Sequence, residues 1–226
     1  MNEQPSFAKR LLHSTLALDF KNQRIDVQPV PLTCPGLPAQ FHLARVAVVA
    51  DVHLPDQVVS LPRLLRVLRM QRPDAILLPG DLTNSYTDFD AKGLYVLARE
   101  LTKIAPCYAV PGNHEQRLGR EPLYRRILEK CGVHYIGDGW ADWHRDGATL
   151  RLYGMGETVP TPPHTEGQPA ILLAHRPEYL PAYRRAGWDI VVCGHAHGGH
   201  VRLGGGALFS PDQGFLPTYK IGRAHV

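Results

Sequence analysis

Residues 74–81 read Asp-Ala-Ile-Leu-Leu-Pro-Gly-Asp. An unbroken apolar run of this length, closed by a glycine and a carboxylate, is the pattern of a strand buried on both faces. The same grammar recurs along the chain. Upstream, Ala44-Arg-Val-Ala-Val-Val-Ala50 runs into Asp51-Val-His53. Downstream, Cys107-Tyr-Ala-Val110 runs into Gly112-Asn113-His114-Glu115. Ala170-Ile-Leu-Leu-Ala174 then ends at His175, and Trp188–Cys193 ends at Gly194-His195-Ala-His197-Gly-Gly.

Helical patterns separate the first strands. Leu61 to Met70 carries Leu and Val at helical spacing, with Ser60 placed to cap it and Pro62 in its first turn. Phe89–Ile104 and Glu121–Cys131 read as the second and third helices. Strand and helix alternating three times predict a mostly parallel sheet with right-handed crossovers. Ligands collect beyond the carboxyl ends of such strands, and the first three polar blocks fall there. The second half differs. Val133–Ile136, Ala141–Arg145 and Ala148–Tyr153 read as short strands, with Asp146-Gly147 as a hairpin turn. Gly156–Pro169 reads as a loop, and His200–Leu203 and Ala207–Phe209 as a hairpin around a triple glycine. Arg24–Leu32 has alternating character but two prolines, which makes it an edge strand at best.

The expected organisation is one domain over residues 24–220, preceded by an amphipathic segment over 1–23. Ile221–Val226 shows neither capping nor strand logic and reads as a non-native tail, so the natural chain is expected to continue beyond it. The 226 residues, 44% of them apolar, suit one soluble core. A net charge of +4 permits acidic substrates but is too weak and dispersed to argue for nucleic-acid binding. Four scattered cysteines without a CxxC pair read as free thiols of a reducing compartment. No stretch approaches the ~20 consecutive apolar residues of a membrane span. Phe7–Leu18 lacks a cleavage site and reads as a short amphipathic helix that packs on the domain, with contact to a membrane surface as the second reading. The expected location is cytoplasmic or peripheral to a membrane.

With His114 and Glu115 set aside, the polar blocks supply two carboxylates, one amide and four imidazoles, enough to hold two metal ions side by side. Asp51 and His53, two apart on extended chain, point the same way and reach one ion. Asp81 is the smallest carboxylate that can bridge two ions. Asn113 offers a neutral oxygen. His195 and His197, bracketed by glycines, are the most specific ligand pair. His114 is expected beside the metals without binding them, and Glu115 in a structural position in the first turn of a short helix. Arg117 and Arg120 are candidate phosphate contacts, with a solvated helix start as the bland alternative. His13, His42, His134, His144 and His164 lie outside any block and read as solvated, and His200 as a neighbour of the ligands. Mixed nitrogen and oxygen donors suit Mn, Fe or Zn. Two adjacent metals sharing a carboxylate point to phosphoester cleavage. No phosphate-binding GxxxxGK[ST] loop, GxSxG elbow or GxGxxG turn competes.

Taken in order, DxH, GD, GNH[DE], a lone His and GHxH resemble the calcineurin-like metallophosphoesterase superfamily, from about Ala44 to His200. The Gly-His-x-His-Gly-Gly ending is most similar to its bacterial phosphodiesterase branch. The resemblance implies an α/β sandwich, central sheets flanked by helices in four layers, cut short at its C-terminus. It implies one ion held by Asp51, His53, Asp81 and His197, and another by Asp81, Asn113, His175 and His195. Asp81 would bridge, a hydroxide shared by the ions would attack phosphorus in line, and His114 would protonate the leaving oxygen. The implied partner is a phosphoester substrate, with no specific nucleic-acid or protein partner. A pyrophosphatase of lipid-linked or UDP-sugar substrates at a membrane surface, and a non-catalytic metal-binding scaffold, are the alternatives. Gly80–Tyr86 lacks the arginine of the GDxxDRG motif of protein phosphatases, which lowers that reading.

Overall fold

The computed structural model describes residues 25, 27–57, 59–86, 88–162, 167–195, 201–203, 206–210 and 214–215. The N-terminal amphipathic segment, His164, His197, His200 and the 221–226 tail lie outside the described residues.

Chain order runs β1 (Val46–Val48), α1 (Leu61–Gln71), β2 (Ala75–Pro79), α2 (Ala91–Thr102), β3 (Cys107–Val110), α3 (Asn113–Gln116), α4 (Glu121–Lys130) and β4 (His134–Tyr135). Then follow β5 (Trp140–Arg145), β6 (Ala148–Gly154), β7 (Ile171–Leu173), α5 (Leu180–Ala186) and β8 (Ile190–Val192). The last elements are β9 (Val201–Leu203), β10 (Gly206–Ser210) and β11 (Gly214–Phe215). The first sheet, in order β1-β2-β3-β4, is parallel throughout. The second, in order β5-β6-β7-β8, opens with the antiparallel β5–β6 hairpin and continues in parallel. Strands β9 to β11 form a small antiparallel sheet.

Strand alternation builds the layers. On β2, Ile76 and Leu78 pack with Leu94, Leu97, Leu101, Tyr124 and Leu128 of the helices. Ala75 and Leu77 face the other way, toward Trp143, Leu150, Leu152, Ile171 and Leu173 of the second sheet. Leu172 of β7 points outward again, onto Tyr183 and Trp188. The order is therefore helices, sheet, sheet, helix. Each fully buried Leu or Ile here contributes about 1.5–3 kcal/mol of transfer free energy.

Local chemistry closes the elements. Asp90 caps α2 by accepting from Gly93 N at 2.8 Å. Pro62 stands in the first turn of α1 as the sequence predicts, but the Ser60 side chain makes no cap bond. Instead, its carbonyl accepts from Arg63 and Leu64 N–H. Asp146 (φ 48°) and Gly147 (φ 80°) make the expected β5–β6 turn, whose right-handed twist requires positive φ at both positions. The four cysteines are free, and among the described residues no helix is long and apolar enough to cross a membrane.

Three expectations are corrected. The described residues of 24–32 form no strand, because Pro29 and Pro31 carry no N–H for a ladder. Strand β1 is not buried on both faces. Val46 and Val48 are 42% and 51% exposed, and among the described residues β1 pairs only with β2. Helix α5 falls where no helix was anticipated. Its seven residues are too few for a periodic signal, and it stops at Gly187 in the left-handed conformation (φ 94°).

Candidate metal centre

The polar blocks meet because β1 and β2 stay together past their ends. Val49 N donates to Leu77 O at 2.9 Å, Asp51 N to Gly80 O at 3.2 Å, and His53 N to Asp81 O at 3.1 Å. Glycine then lets backbones touch. A Cβ on Gly80 (φ 87°) would lie 2.5 Å from Gly112 N and 2.8 Å from His175 Nδ1. A Cβ on Gly112 would lie 2.1 Å from Asp81 Oδ1. Asp51, His53, Asp81 and His195 all adopt positive φ, between 53° and 69°. Side chains pay for that conformation, about 1–2 kcal/mol each. Such residues cluster at functional sites, where the surroundings over-determine them.

His175 is 5% exposed, and its Nδ1 sits 2.7 Å from Pro79 O. A carbonyl only accepts, so Nδ1 carries the proton and Nε2 of the neutral ring is a bare lone pair. Around Nε2 stand Asp81 Oδ2 at 3.2 Å, Asn113 Oδ1 at 3.0 Å and His195 Nδ1 at 3.0 Å. Three lone-pair atoms thus face a fourth, and only His195 has a tautomer that puts a proton among them. That is the donor set of a cation site, and the residues fit a divalent ion. Burial pulls His175 down, but the hydrogen bond and charge of Asp81, with the charge of Asp51, outweigh it and lift the imidazole above its ordinary value. Burial likewise pushes Asp81 up, yet His175 and then His114 overcome it and hold the carboxyl at about 2. The pocket draws positive charge.

Asp81 is shared with a second group. His53, Asp81 and His114 bring ligand-type atoms within 4.8 Å of one another, as do Asp81, His175 and His195. His114 differs from the others in tautomer. Ser85 N–H donates to its Nδ1 at 3.0 Å, so the neutral ring carries its proton on Nε2, 3.9 Å from Asp81 Oδ2. It presents an N–H to the site rather than a lone pair. Asp51 accepts from His195 N–H through both oxygens, at 3.0 and 2.9 Å. Burial lifts its carboxyl to about 6, against the pull of the His175 charge.

Glu115 ties the loops together. It is fully buried and accepts from Asp81 N, Gly112 N, Thr83 N and Thr83 Oγ at 2.8–2.9 Å. Burial, then the Asp81 charge, raises its carboxyl to about 7 against those hydrogen bonds. The sequence marks it as structural. Its clamp across the two loops, and the parts played by Pro79 O and Ser85 N–H, were missed. Backbone groups leave no side-chain signal to read. Of the expected site residues, Asp51, His53, Asp81, Asn113, His114, His175 and His195 come together, while His42, His134 and His144 are exposed elsewhere.

A protein-family model for calcineurin-like phosphoesterases matches residues 44–199, the stretch that carries all these blocks. The chain belongs to that family. Among curated relatives, phosphodiesterase YaeI of Escherichia coli is 27% identical over 70% of this chain and 62% of its own length. The uncharacterized metallophosphoesterase YkoQ of Bacillus subtilis is 26% identical over 74% of this chain and 65% of its own. The chain thus spans under two thirds of these relatives. Among solved structures, phosphopantetheinyl hydrolase PptH from Mycobacterium tuberculosis superposes with a TM-score of 0.46 at 15% identity, covering 72% of this chain and 86% of that one.

Proposed function

We propose that this chain is a metal-dependent phosphoester hydrolase with a two-ion centre, acting on phosphodiesters. One observation carries the reading: lone pairs of Asp81, Asn113, His175 and His195 converge while His114 alone turns an N–H toward the same carboxylate. Family membership and the activity in the name of YaeI support it. Asp81, Asn113, His175 and His195 would hold one ion. Asp51, His53 and Asp81 would hold the other, with His197 from outside the described residues. When bound, two divalent ions (Mn, Fe or Zn) supply a water acidic enough to ionise near neutral pH and withdraw charge from the phosphoryl oxygens.

The protein's own groups do the rest. Two carboxylates against two divalent ions leave the pocket net positive, which attracts the monoanion of a diester. Ser85 N–H keeps the His114 proton on Nε2, from where the ring can hydrogen-bond to the departing oxygen and stabilise the charge that develops there. A scaffold that only bound metal would have no use for that proton.

The test is turnover of bis(p-nitrophenyl) phosphate with Mn²⁺, alongside metal analysis. His114→Ala should retain both ions and lose rate, most with poor leaving groups. Two bound ions and no hydrolysis of any diester by the unmodified protein would overturn the reading.

A further inference from the structure

Beside His114 stands a pair of side chains that the centre does not use. Tyr86 is 67% exposed, and its ring meets the His114 ring edge-on with centroids 5.3 Å apart. Over the Tyr86 ring lies the Arg117 guanidinium, 5.2 Å from its centroid. Arg117 forms no ion pair among the described residues. The backbone holds the pair in place. Tyr86 N–H donates to Asn84 Oδ1 at 2.9 Å, and Arg120 Nη1 reaches Asn84 O at 3.3 Å. Arg117 follows α3, the short helix that carries Asn113 and His114.

An exposed aromatic ring needs a reason when it leans on His114. So does a guanidinium over that ring with no ion pair among the described residues. A guanidinium held over an aromatic ring keeps its fork of N–H donors for an oxyanion. Exposed aromatics offer a face or edge to planar groups, and such contacts are tolerant of the ring presented. Because His114 serves the departing oxygen, whatever departs must pass beside Tyr86 and then Arg117.

We infer that Tyr86 and Arg117 form the leaving-group subsite, favouring a leaving group that is aromatic and carries a negative charge. This deepens the phosphodiester reading above and rests on it. The step is unchanged: the bond from phosphorus to the leaving oxygen breaks, water supplies the new oxygen, and the departing oxygen is hydrogen-bonded by His114 Nε2–H and takes its proton from solvent. Tyr86 and Arg117 only choose what departs.

A matched pair of substrates isolates the effect: methyl 4-nitrophenyl phosphate and methyl 3-carboxy-4-nitrophenyl phosphate, which differ by one carboxylate on the leaving ring. The unmodified protein should favour the carboxylated ester, through KM more than kcat. Arg117→Gln should shrink that preference by about fivefold, the range of an exposed ion pair, and Arg117→Lys should restore part of it. Tyr86→Leu should raise KM for both aryl esters more than for dimethyl phosphate. Equal kcat/KM for the two esters in the unmodified protein, or equal losses on both in Arg117→Gln, would overturn the subsite. If neither ester turns over with two ions bound, the phosphodiester reading itself has failed, a result distinct from hydrolysis without preference.

Discussion

The two halves of the proposed metal centre are built to different standards. In the half made by Asp81, Asn113, His175 and His195, donor atoms stand 3.0–3.2 Å from His175 Nε2, and Asp81, His175 and His195 are 1%, 5% and 9% exposed. In the half made by Asp51 and His53, both residues are only partly buried, and the Asp51 oxygens are already engaged by His195 N–H. In one half four donor atoms already converge and are buried; the other is more exposed, and its donor atoms are less closely gathered. Pre-organisation lowers the cost of binding, so the two ions should differ in affinity, the His175 side holding the tighter one.

The largest effect should come from the one residue both halves share. Asp81→Ala removes the common carboxylate and the acceptor for His114 N–H, 2.9 Å away. Activity should fall by roughly 10³-fold or more, beyond the 10–100-fold typical of an outer partner, and metal analysis should find neither ion at full occupancy. Retention of one full ion would mean that the halves are more independent than the geometry says.

The next test sets the halves against each other. Under graded chelation, the unmodified protein should lose one ion well before the second. His53→Ala should lose only the weaker ion and keep the tighter. His175→Ala should lose the tighter ion, and because His195 and Asn113 then have no partner between them, its residual binding should be the weaker of the two variants. Simultaneous loss of both ions in the unmodified protein would erase the distinction.

Much of this difference was invisible in the chain, and the reason is physical. Strands β2 and β3 could be read because side chains buried on both faces must be apolar along their whole length. The ligand blocks could be read because they sit where those runs stop. Strand β1 has the same apolar content and yet lies at an edge, since a strand's own residues do not say how many neighbours it has. The His175 and His114 tautomers depend on Pro79 O and Ser85 N–H, 96 and 29 residues away in sequence. Backbone groups are the same at every position, so only pairing of β2 with β3 and packing of β7 beside them bring the right ones close.

Glu115→Gln probes the clamp beneath the tighter half. Oε2 receives Asp81 N and Gly112 N, and Oε1 receives Thr83 N and Oγ. An amide keeps one oxygen but turns an NH₂ toward two donors, leaving buried N–H groups unsatisfied at about 1–3 kcal/mol each. Affinity for the tighter ion should fall about 10–100-fold, the usual cost of an outer-shell partner. Titration of metal into the stripped protein measures it, and an unchanged tight constant would show that Glu115 holds the fold alone.

The smallest effect should lie at the seam between the halves. A Cβ on Gly194 would sit 2.8 Å from Ala50 Cβ, 3.0 Å from Pro79 O and 3.4 Å from Asp51 Oδ1. Unlike Gly80, Gly194 is not among the glycines with positive φ, so alanine there brings crowding without backbone strain. The methyl of Ala50 is fixed to its backbone, so the extension of β1 itself must shift to make room, whereas Gly80 would drive a Cβ to 2.5 Å from the Gly112 backbone and carries a left-handed φ besides. Gly194→Ala should therefore cost about 1 kcal/mol, a drop of about 2–4 °C in melting temperature for a chain of this size, and Gly80→Ala considerably more. Because the closest displaced atom, Ala50 Cβ, belongs to the Asp51 side, the weaker ion should loosen several-fold, and the tighter one, whose His175 meets only the milder crowding at Pro79 O, should loosen less. A matched loss at both ions would place the seam within the rigid half, and the contrast between the two would have to be redrawn.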